Sequence, residues 1–241
     1  TRLENAAQEP DVVALADYLV ACGADIRGQG TRLVTIEGVE RFRPVRQAVI
    51  PDRIEAATFL AAAAITGGDL TIENCLPSHL EAVIDSIRAA GSEVEVAASS
   101  VRCRGRVPPR GFHVVTAPYP GFPTDMQAQM MALASIGKGV SVITDTIYQD
   151  RFTHVPELMR LGADIRLEGN TAVVHPVEKL SGANVMASDL RASAALILAG
   201  LVAEGTTKVG RVYHIDRGYE RIEEKLRAVG ASVERIREEG P

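Results

Sequence analysis

The residues of this chain that could bind an anion or handle a proton are aspartates at expected helix starts and arginines at expected turns. Asp125 and Arg151 stand near the two ends of one stretch, PGFPTDMQAQMMALASIGKGVSVITDTIYQDR at 120–151. Pro120 and Pro123 cannot continue a helix, whereas Thr124 can cap one, its hydroxyl accepting from the Gln127 amide while the Gln127 side chain reaches back. A helix is therefore expected to start at Asp125, run through Met126, Met130, Leu133 and Ala134, and stop at Gly137-Lys138-Gly139. The alternating residues 140–144 follow as a strand. If that strand runs back along the helix, residues 146–151 return to the neighbourhood of Asp125, and a carboxylate at a helix N-terminus faces an arginine at a strand end.

Two further aspartates, Asp52 and Asp189, occupy positions equivalent to Asp125. All three have a structural explanation, because a carboxylate at a helix N-terminus gains from free amides and from the helix dipole. Capping and catalysis do not exclude each other. Some arginines break the pattern: Arg53 follows Asp52 where the other copies have Met126 and Leu190, and Arg191 stands where the others have Ile54 and Gln127. Asp150-Arg151 and Asp216-Arg217 recur at strand-to-helix turns, where each is either a local surface ion pair or a guanidinium presented beside the aspartate-started helices.

Other candidates read as structural. Cys103 lies between Arg102 and Arg104, which could activate a thiol, but RCRGR reads as an edge strand with alternating faces. His79, His113, His154, His175 and His214 show no paired metal spacing. No GxxxxGK[ST] or GxGxxG pattern supports a phosphate loop.

The elements that must position these residues form a repeat. CysGlyAlaAspIle at 22–26, AlaGlySerGluVal at 90–94, LeuGlyAlaAspIle at 161–165 and ValGlyAlaSerVal at 229–233 end helical patterns in nearly the same words. Their glycines, Gly23, Gly91, Gly162 and Gly230, recur at intervals of about 70 residues, each where a helix C-cap needs a left-handed residue before a strand. The unit is helix, strand, helix, then two strands. The hairpin is clearest at 24–36, turning at Gly30, and at 163–175, turning at Gly169-Asn170. The first copy begins at a strand over 2–5, and the last reaches Arg237-Glu238-Glu239 with no clear second hairpin strand. The polar stretch ERFRPVRQ at 40–47 divides a partial unit, 1–47, belonging to a truncated N-terminal domain, from a domain of three units, 48–241. An α/β (α+β) fold follows, with three units about a pseudo-threefold axis.

Composition narrows the function classes. The 241 residues are 46% hydrophobic, enough to fill a core, while the longest apolar run, 194–203, is too short to span a bilayer. A net charge of -5 gives no general attraction to nucleic acid or anionic lipid, so any anionic ligand must be held by local arginines. Three cysteines without metal spacing fit a reducing compartment, and nothing suggests export, so a cytoplasmic protein is expected.

Five phrases carry a resemblance: PDRIE at 51–55, FPTDMQAQ at 122–129, DRFTHVPELMRLGADI at 150–165, EKLSGANVMASDLRASAALILAG at 178–200 and YHIDRGYERIEEKLRAVGA at 213–231. Over essentially its whole length the chain resembles the C-terminal part of the UDP-N-acetylglucosamine enolpyruvyl transferases of bacterial cell-wall synthesis. The sister enzymes acting on shikimate 3-phosphate share the fold but not these phrases. The resemblance implies transfer of the enolpyruvyl group of phosphoenolpyruvate to the 3'-hydroxyl of UDP-N-acetylglucosamine with release of phosphate, without metal or cofactor.

By motif, Asp125 resembles the family's general base and sugar ligand, and Ile147 matches a substrate contact. Arg151, Arg191 and Arg217 resemble the arginines around the phosphoenolpyruvate-derived groups, Arg217 with a catalytic role, while Asp189 and Arg53 match further cleft positions. Bidentate guanidinium geometry suits the carboxylate and phosphate concerned. The family has two domains of three units each. Its N-terminal half carries an active-site lysine and asparagine and a mobile loop with the proton-donating cysteine, the target of fosfomycin, so that half is an expected partner and the isolated chain is expected to be inactive. The rival classes are a non-catalytic ligand-binding or assembly fragment and a different enzyme on the same repeat, such as an RNA 3'-phosphate cyclase, which the acidic charge disfavours.

Overall fold

The computed structural model describes residues 1–148 and 150–236, so the expected chain end at Arg237-Glu238-Glu239 lies outside the described residues. In chain order the elements are β1 (Arg2–Glu4), α1 (Pro10–Ala21), β2 (Asp25–Arg27), β3 (Leu33–Glu37), α2 (Arg53–Thr66), β4 (Asp69–Glu73), α3 (Glu81–Ala89), β5 (Glu93–Val96), β6 (Ser100–Arg104), β7 (His113–Val115), α4 (Gln127–Ser135), β8 (Ser141–Thr144), α5 (Val155–Arg160), β9 (Asp164–Glu168), β10 (Thr171–His175), β11 (Asn184–Met186), α6 (Leu190–Gly200), β12 (Lys208–Gly210) and α7 (Ile222–Ala228).

The repeat is present, with one addition. The third unit opens with a strand, β7, that pairs in parallel with β8 across the α4 crossover, and β11 pairs in parallel with β12 across α6. The expected helix-strand-helix-strand-strand unit therefore gains a leading strand in these two copies. Both are only three residues long, too short for alternation to announce them. The four-stranded sheet runs β7-β8-β10-β9 and the sheet of the second unit β4-β6-β5, while β1-β3-β2 makes a small sheet of its own. Arg102 and Cys103 thus lie on a central strand, not the expected edge strand, because β4 and β5 flank β6 on both sides.

Both expected hairpins form, with Ile26 opposite Ile36 and Val173 opposite Arg166. The four repeat glycines have φ of 109°, 99°, 97° and 98°, the left-handed conformation that a side chain would resist; the first three turn a helix into its following strand, whereas the strand expected after Gly230 is absent among the described residues.

Helices α2, α4 and α6 pack against one another at the centre. Every residue of α4 is buried, so this helix has no solvent face and was bound to lack an amphipathic stripe. Its apolar side chains Met130, Met131 and Leu133 join Leu60 and Ile65 of α2 and Leu196 and Leu198 of α6 in one core that extends beneath the sheets. Burying such side chains contributes roughly 1.5–3 kcal/mol each, which holds the three helices together.

Candidate active site

The three aspartates do different work. Asp52 caps α2, its Oδ1 accepting from the amides of Ile54 at 2.7 Å and Glu55 at 3.1 Å. Asp189 caps α6 in the same way, accepting from Arg191 at 2.8 Å and Ala192 at 2.9 Å. Asp125 caps nothing. It lies in a single 3₁₀ turn, Thr124–Met126, that leads into α4 without a side-chain cap. The expected Thr124–Gln127 capping box is absent as well: the Thr124 hydroxyl donates to Asp145 Oδ2 at 2.6 Å, and among the described residues the Gln127 side-chain carboxamide has no hydrogen-bond partner. The Gln127 backbone amide donates to Thr124 O within the 3₁₀ turn instead, so the hydroxyl is turned to the distant carboxylate.

Freed from capping, the Asp125 carboxylate binds two guanidinium groups. Arg151 Nη2 donates to Oδ1 at 2.5 Å and Arg191 Nη2 to Oδ2 at 2.8 Å. The return of the chain from β8 delivers Arg151, as expected, and the start of α6 delivers Arg191 from the next unit. Burial pushes the Asp125 carboxyl upward, but Arg191 and then Arg151 outweigh it and leave it below the usual carboxylate range. Arg191 is raised: burial lowers it, and Asp125 followed by Tyr219 more than compensates.

Behind Arg191 lies a polar knot that joins the units. The Tyr219 hydroxyl, buried at the centre, is 2.8 Å from Thr58 Oγ1 on α2 and accepts from Gln129 Nε2 on α4 and Arg191 Nη1, each at 3.4 Å. The Arg191 guanidinium also stands 5.8 Å from the centre of the Tyr219 ring. Nothing in the local sequence marks Tyr219, because its partners come from three other segments.

His154, also buried, sits at the start of α5 near Arg151 and Asp189; burial pushes its imidazole down to about 4, so it is neutral. Asp189 completes the wall: its Oδ2 accepts from Thr153 Oγ1 at 3.2 Å, and its carboxyl, raised by burial, is brought below the usual range by the Ala192 and Arg191 amides and the Thr153 and Ser188 hydroxyls.

Among the described residues, the remaining candidates make no hydrogen bond or ion pair with Asp125, Arg151 or Arg191. Ile147 is exposed on the loop after β8, next to Tyr148, whose ring centre lies 5.9 Å from the Arg151 guanidinium. Arg53 turns toward the N-terminal unit, 3.6 Å from Asp11 and 6.0 Å from the centre of the Tyr119 ring. Arg217 ends a 3₁₀ segment, Val212–Arg217, and is exposed; its neighbour Asp216 pairs with Arg235 at 2.5 Å, so the Asp216-Arg217 pair is not a local ion pair. Cys103 is fully buried with its thiol pushed up to about 11 by burial, in keeping with a structural role. Among the described residues no group of histidine, cysteine and carboxylate side chains could hold a metal ion.

A cluster with one carboxylate between two arginines can hold a dianionic ligand and accept a proton from a hydroxyl beside it. Curated proteins named UDP-N-acetylglucosamine 1-carboxyvinyltransferase are 56% identical in Desulfosudis oleivorans, over 98% of this chain and 57% of that protein, and 58% identical in an Anaeromyxobacter species, over 98% and 56%. The one from Enterobacter cloacae is 56% identical over 99% of the chain and 57% of its own length. The chain therefore spans a little over half the length of the curated relatives it matches. Among solved structures, the enolpyruvyl transferase NikO from Streptomyces tendae superposes with a TM-score of 0.85 at 29% identity, over 96% of this chain and 56% of that one. The EPSP synthase from Acinetobacter baumannii, at 18% identity with a TM-score of 0.69 over 91% and 54%, shares the fold. The family model described as EPSP synthase (3-phosphoshikimate 1-carboxyvinyltransferase) matches residues 1–226, and the chain belongs to that family.

Proposed function

We propose that this chain is the C-terminal portion of an enzyme that transfers the enolpyruvyl group of phosphoenolpyruvate to the 3'-hydroxyl of UDP-N-acetylglucosamine, the first committed step of peptidoglycan synthesis. The observation that carries this reading is the Asp125 carboxylate held between Arg151 and Arg191, with relatives of 54–58% identity bearing that name. In the reaction the sugar hydroxyl oxygen bonds to C2 of phosphoenolpyruvate and its proton passes to Asp125. C3 gains a proton from a donor outside this chain, and the tetrahedral adduct then loses phosphate and a C3 proton to regenerate the enol ether.

Arg151, Arg191 and Arg217 would hold the carboxylate and phosphate of the three-carbon unit, Ile147 would touch the sugar nucleotide, and Asp189 and Arg53 would line the cleft. The pairing in the ligand-free site suits a base that must wait: with both arginines on it, Asp125 is ionised but weakly basic. An arriving dianion competes for the same guanidinium groups, and their departure returns basicity to the carboxylate as the hydroxyl must lose its proton.

Residues 1–47 belong on this reading to a partial unit of a second domain, and the remainder of that domain is the partner that closes the cleft. The reading places the enzyme in the cytoplasm; among the described residues no helix is long and apolar enough to cross a membrane. The test is phosphate release by the intact enzyme and, separately, by the 241-residue chain, given phosphoenolpyruvate and UDP-N-acetylglucosamine. Release that requires both substrates is expected from the intact enzyme and none from the chain alone. A chain that binds the sugar nucleotide inside an intact protein with no turnover would favour a ligand-binding role instead.

A further inference from the structure

Asp145, at the end of β8, is fully buried and no arginine or lysine pairs with it among the described residues. Its charge is met by four donors. Oδ1 accepts from the Thr116 hydroxyl and from the amides of Ile147 and Tyr148, each at 2.9 Å, and Oδ2 accepts from the Thr124 hydroxyl at 2.6 Å. The backbone is tied as well: the Asp145 amide donates to Asn170 O at 2.8 Å, and Asn170 Nδ2 donates to Asp145 O at 3.0 Å. Thr116 is saturated in turn, since its hydroxyl accepts from the Thr146 amide at 2.9 Å while donating to Asp145. The carboxylate thus gathers the end of β7, the turn ahead of α4 and the loop after β8, and the backbone of the same residue ties in the hairpin between β9 and β10.

We propose that Asp145 is a positioning residue of the candidate site, setting the distance between the turn that carries Asp125 and the rim formed by Ile147 and Tyr148. Thr124 is the residue immediately before Asp125, so its bond to Asp145 bears directly on where the Asp125 carboxylate stands. At the rim, Ile147 and Tyr148 are 45% and 56% exposed, so side-chain packing holds them only in part. Their amides are the handles, and both end on Asp145. The rim continues through the Tyr148 ring to Arg151, which holds Asp125, so the clamp closes a loop of contacts around the site. Four donors converging on one buried group suit an anion there, and leaving any of them unmet is costly. What the clamp positions Asp125 for rests on the enolpyruvyl-transfer reading; the clamp itself does not.

Three variants of the intact enzyme separate positioning from mere stability. Thr124→Val deletes the hydroxyl between Asp145 and the Asp125 turn, Thr116→Val deletes the one that faces β7, and Thr124→Ser keeps the hydroxyl. Thr124→Val is expected to lower kcat by about tenfold or more through misplacement of the base, with most of the rate returning in Thr124→Ser. Thr116→Val is expected to lower Tm at least as much while leaving kcat within about twofold. Equal kcat losses in the two valine variants, or none in Thr124→Val, would overturn the proposal.

A readout without turnover separates this from the functional reading. Exchange of the Ile147 and Tyr148 amides is expected to quicken in Thr124→Val, and unchanged exchange would also overturn the clamp. Faster exchange in a variant of an enzyme that releases no phosphate from phosphoenolpyruvate would leave the clamp standing and retire enolpyruvyl transfer.

Discussion

Arg191 Nη2 lies 2.8 Å from Asp125 Oδ2, although 66 positions separate the two residues and they belong to successive structural units. Arg191 comes from the first turn of a helix that Asp189 caps, whereas Asp125 comes from a turn that caps nothing. The repeat supplies two equivalent helix starts, and the difference between them makes an ion pair.

Replacing Asp125 by Asn tests that difference. No cap is lost, but the pair is largely buried, so removing the carboxylate charge leaves Arg191 less well met and the melting temperature should fall modestly. Turnover should fall roughly a hundredfold or more if the carboxylate accepts the hydroxyl proton. Asp52→Asn keeps a competent cap at the equivalent place and should keep the activity. Equal rate losses in the two variants would show that helix placement is what both carboxylates supply.

The pairing also predicts a moving titration. In the ligand-free protein Asp125 should titrate below the ordinary carboxylate range, and saturation with phosphoenolpyruvate should raise it by drawing Arg151 and Arg191 away. Carboxyl-carbon NMR on labelled aspartate reads both states. A downward shift on binding would mean that the arginines stay with Asp125 and that the ligand is held elsewhere.

Acid should destabilise the fold in two stages. His154 is neutral in the folded chain until about 4, whereas the unfolded side chain gains its proton near the ordinary value of 6.5. Stability from this group is complete above 6.5, falls as the pH drops toward 4, and amounts to about 3 kcal/mol in all. His79, also lowered by burial, acts in the same direction. Asp125, Asp145 and Asp189, held below their ordinary values, add a second loss only as the pH falls beneath the usual carboxylate range. Melting temperature against pH should show both limbs, with the upper one flattened in His154→Phe. An imidazole signal for His154 that titrates near its ordinary value would refute the first stage without any variant.

Gly105 should resist enlargement. A Cβ there would lie 2.0 Å from Ala63 O and 2.9 Å from Gly67 Cα, at the place where the chain leaving β6 crosses the end of α2. Backbone on both sides leaves no flexible neighbour to give way. Gly105→Ala is expected to cost about 1–3 kcal/mol, measurable by urea unfolding, while Gly162→Ala meets no atom and suffers only from its φ of 97°.

The thiols give a probe of intactness. Cys22, Cys75 and Cys103 are free and buried. A maleimide should label none of them rapidly in the native chain and all of them after unfolding. Rapid native labelling of Cys103 would contradict both its burial and its raised titration.

Much of this was legible in the sequence because it is local. The left-handed glycines announce themselves through phrases that recur, and the hairpins through alternation and turn residues. Asp52 and Asp189 behave as their positions predict, since a cap needs only the next three amides. Thr124 does not, because Asp145, 21 positions on, competes for its hydroxyl and no window around Thr124 contains that rival. Tyr219 and Asp145 carry no local signal for the same reason: each is defined by partners from several segments. The short strands β7 and β11 escaped because three residues cannot display a period.

The ion cluster straddles the connector at 176–183, with Asp125 and Arg151 before it and Arg191 and Tyr219 after it. A chain severed there would yield two fragments of unequal charge logic: one carrying a carboxylate half matched by Arg151, the other a guanidinium with only a tyrosine to face. Their reassociation would restore both the pair and the buried Thr58–Tyr219–Gln129 knot at once, so added salt should slow the encounter of the separated charges and leave the buried hydroxyls untouched. The same seam that builds the site would then serve as the recognition code by which the two pieces find each other.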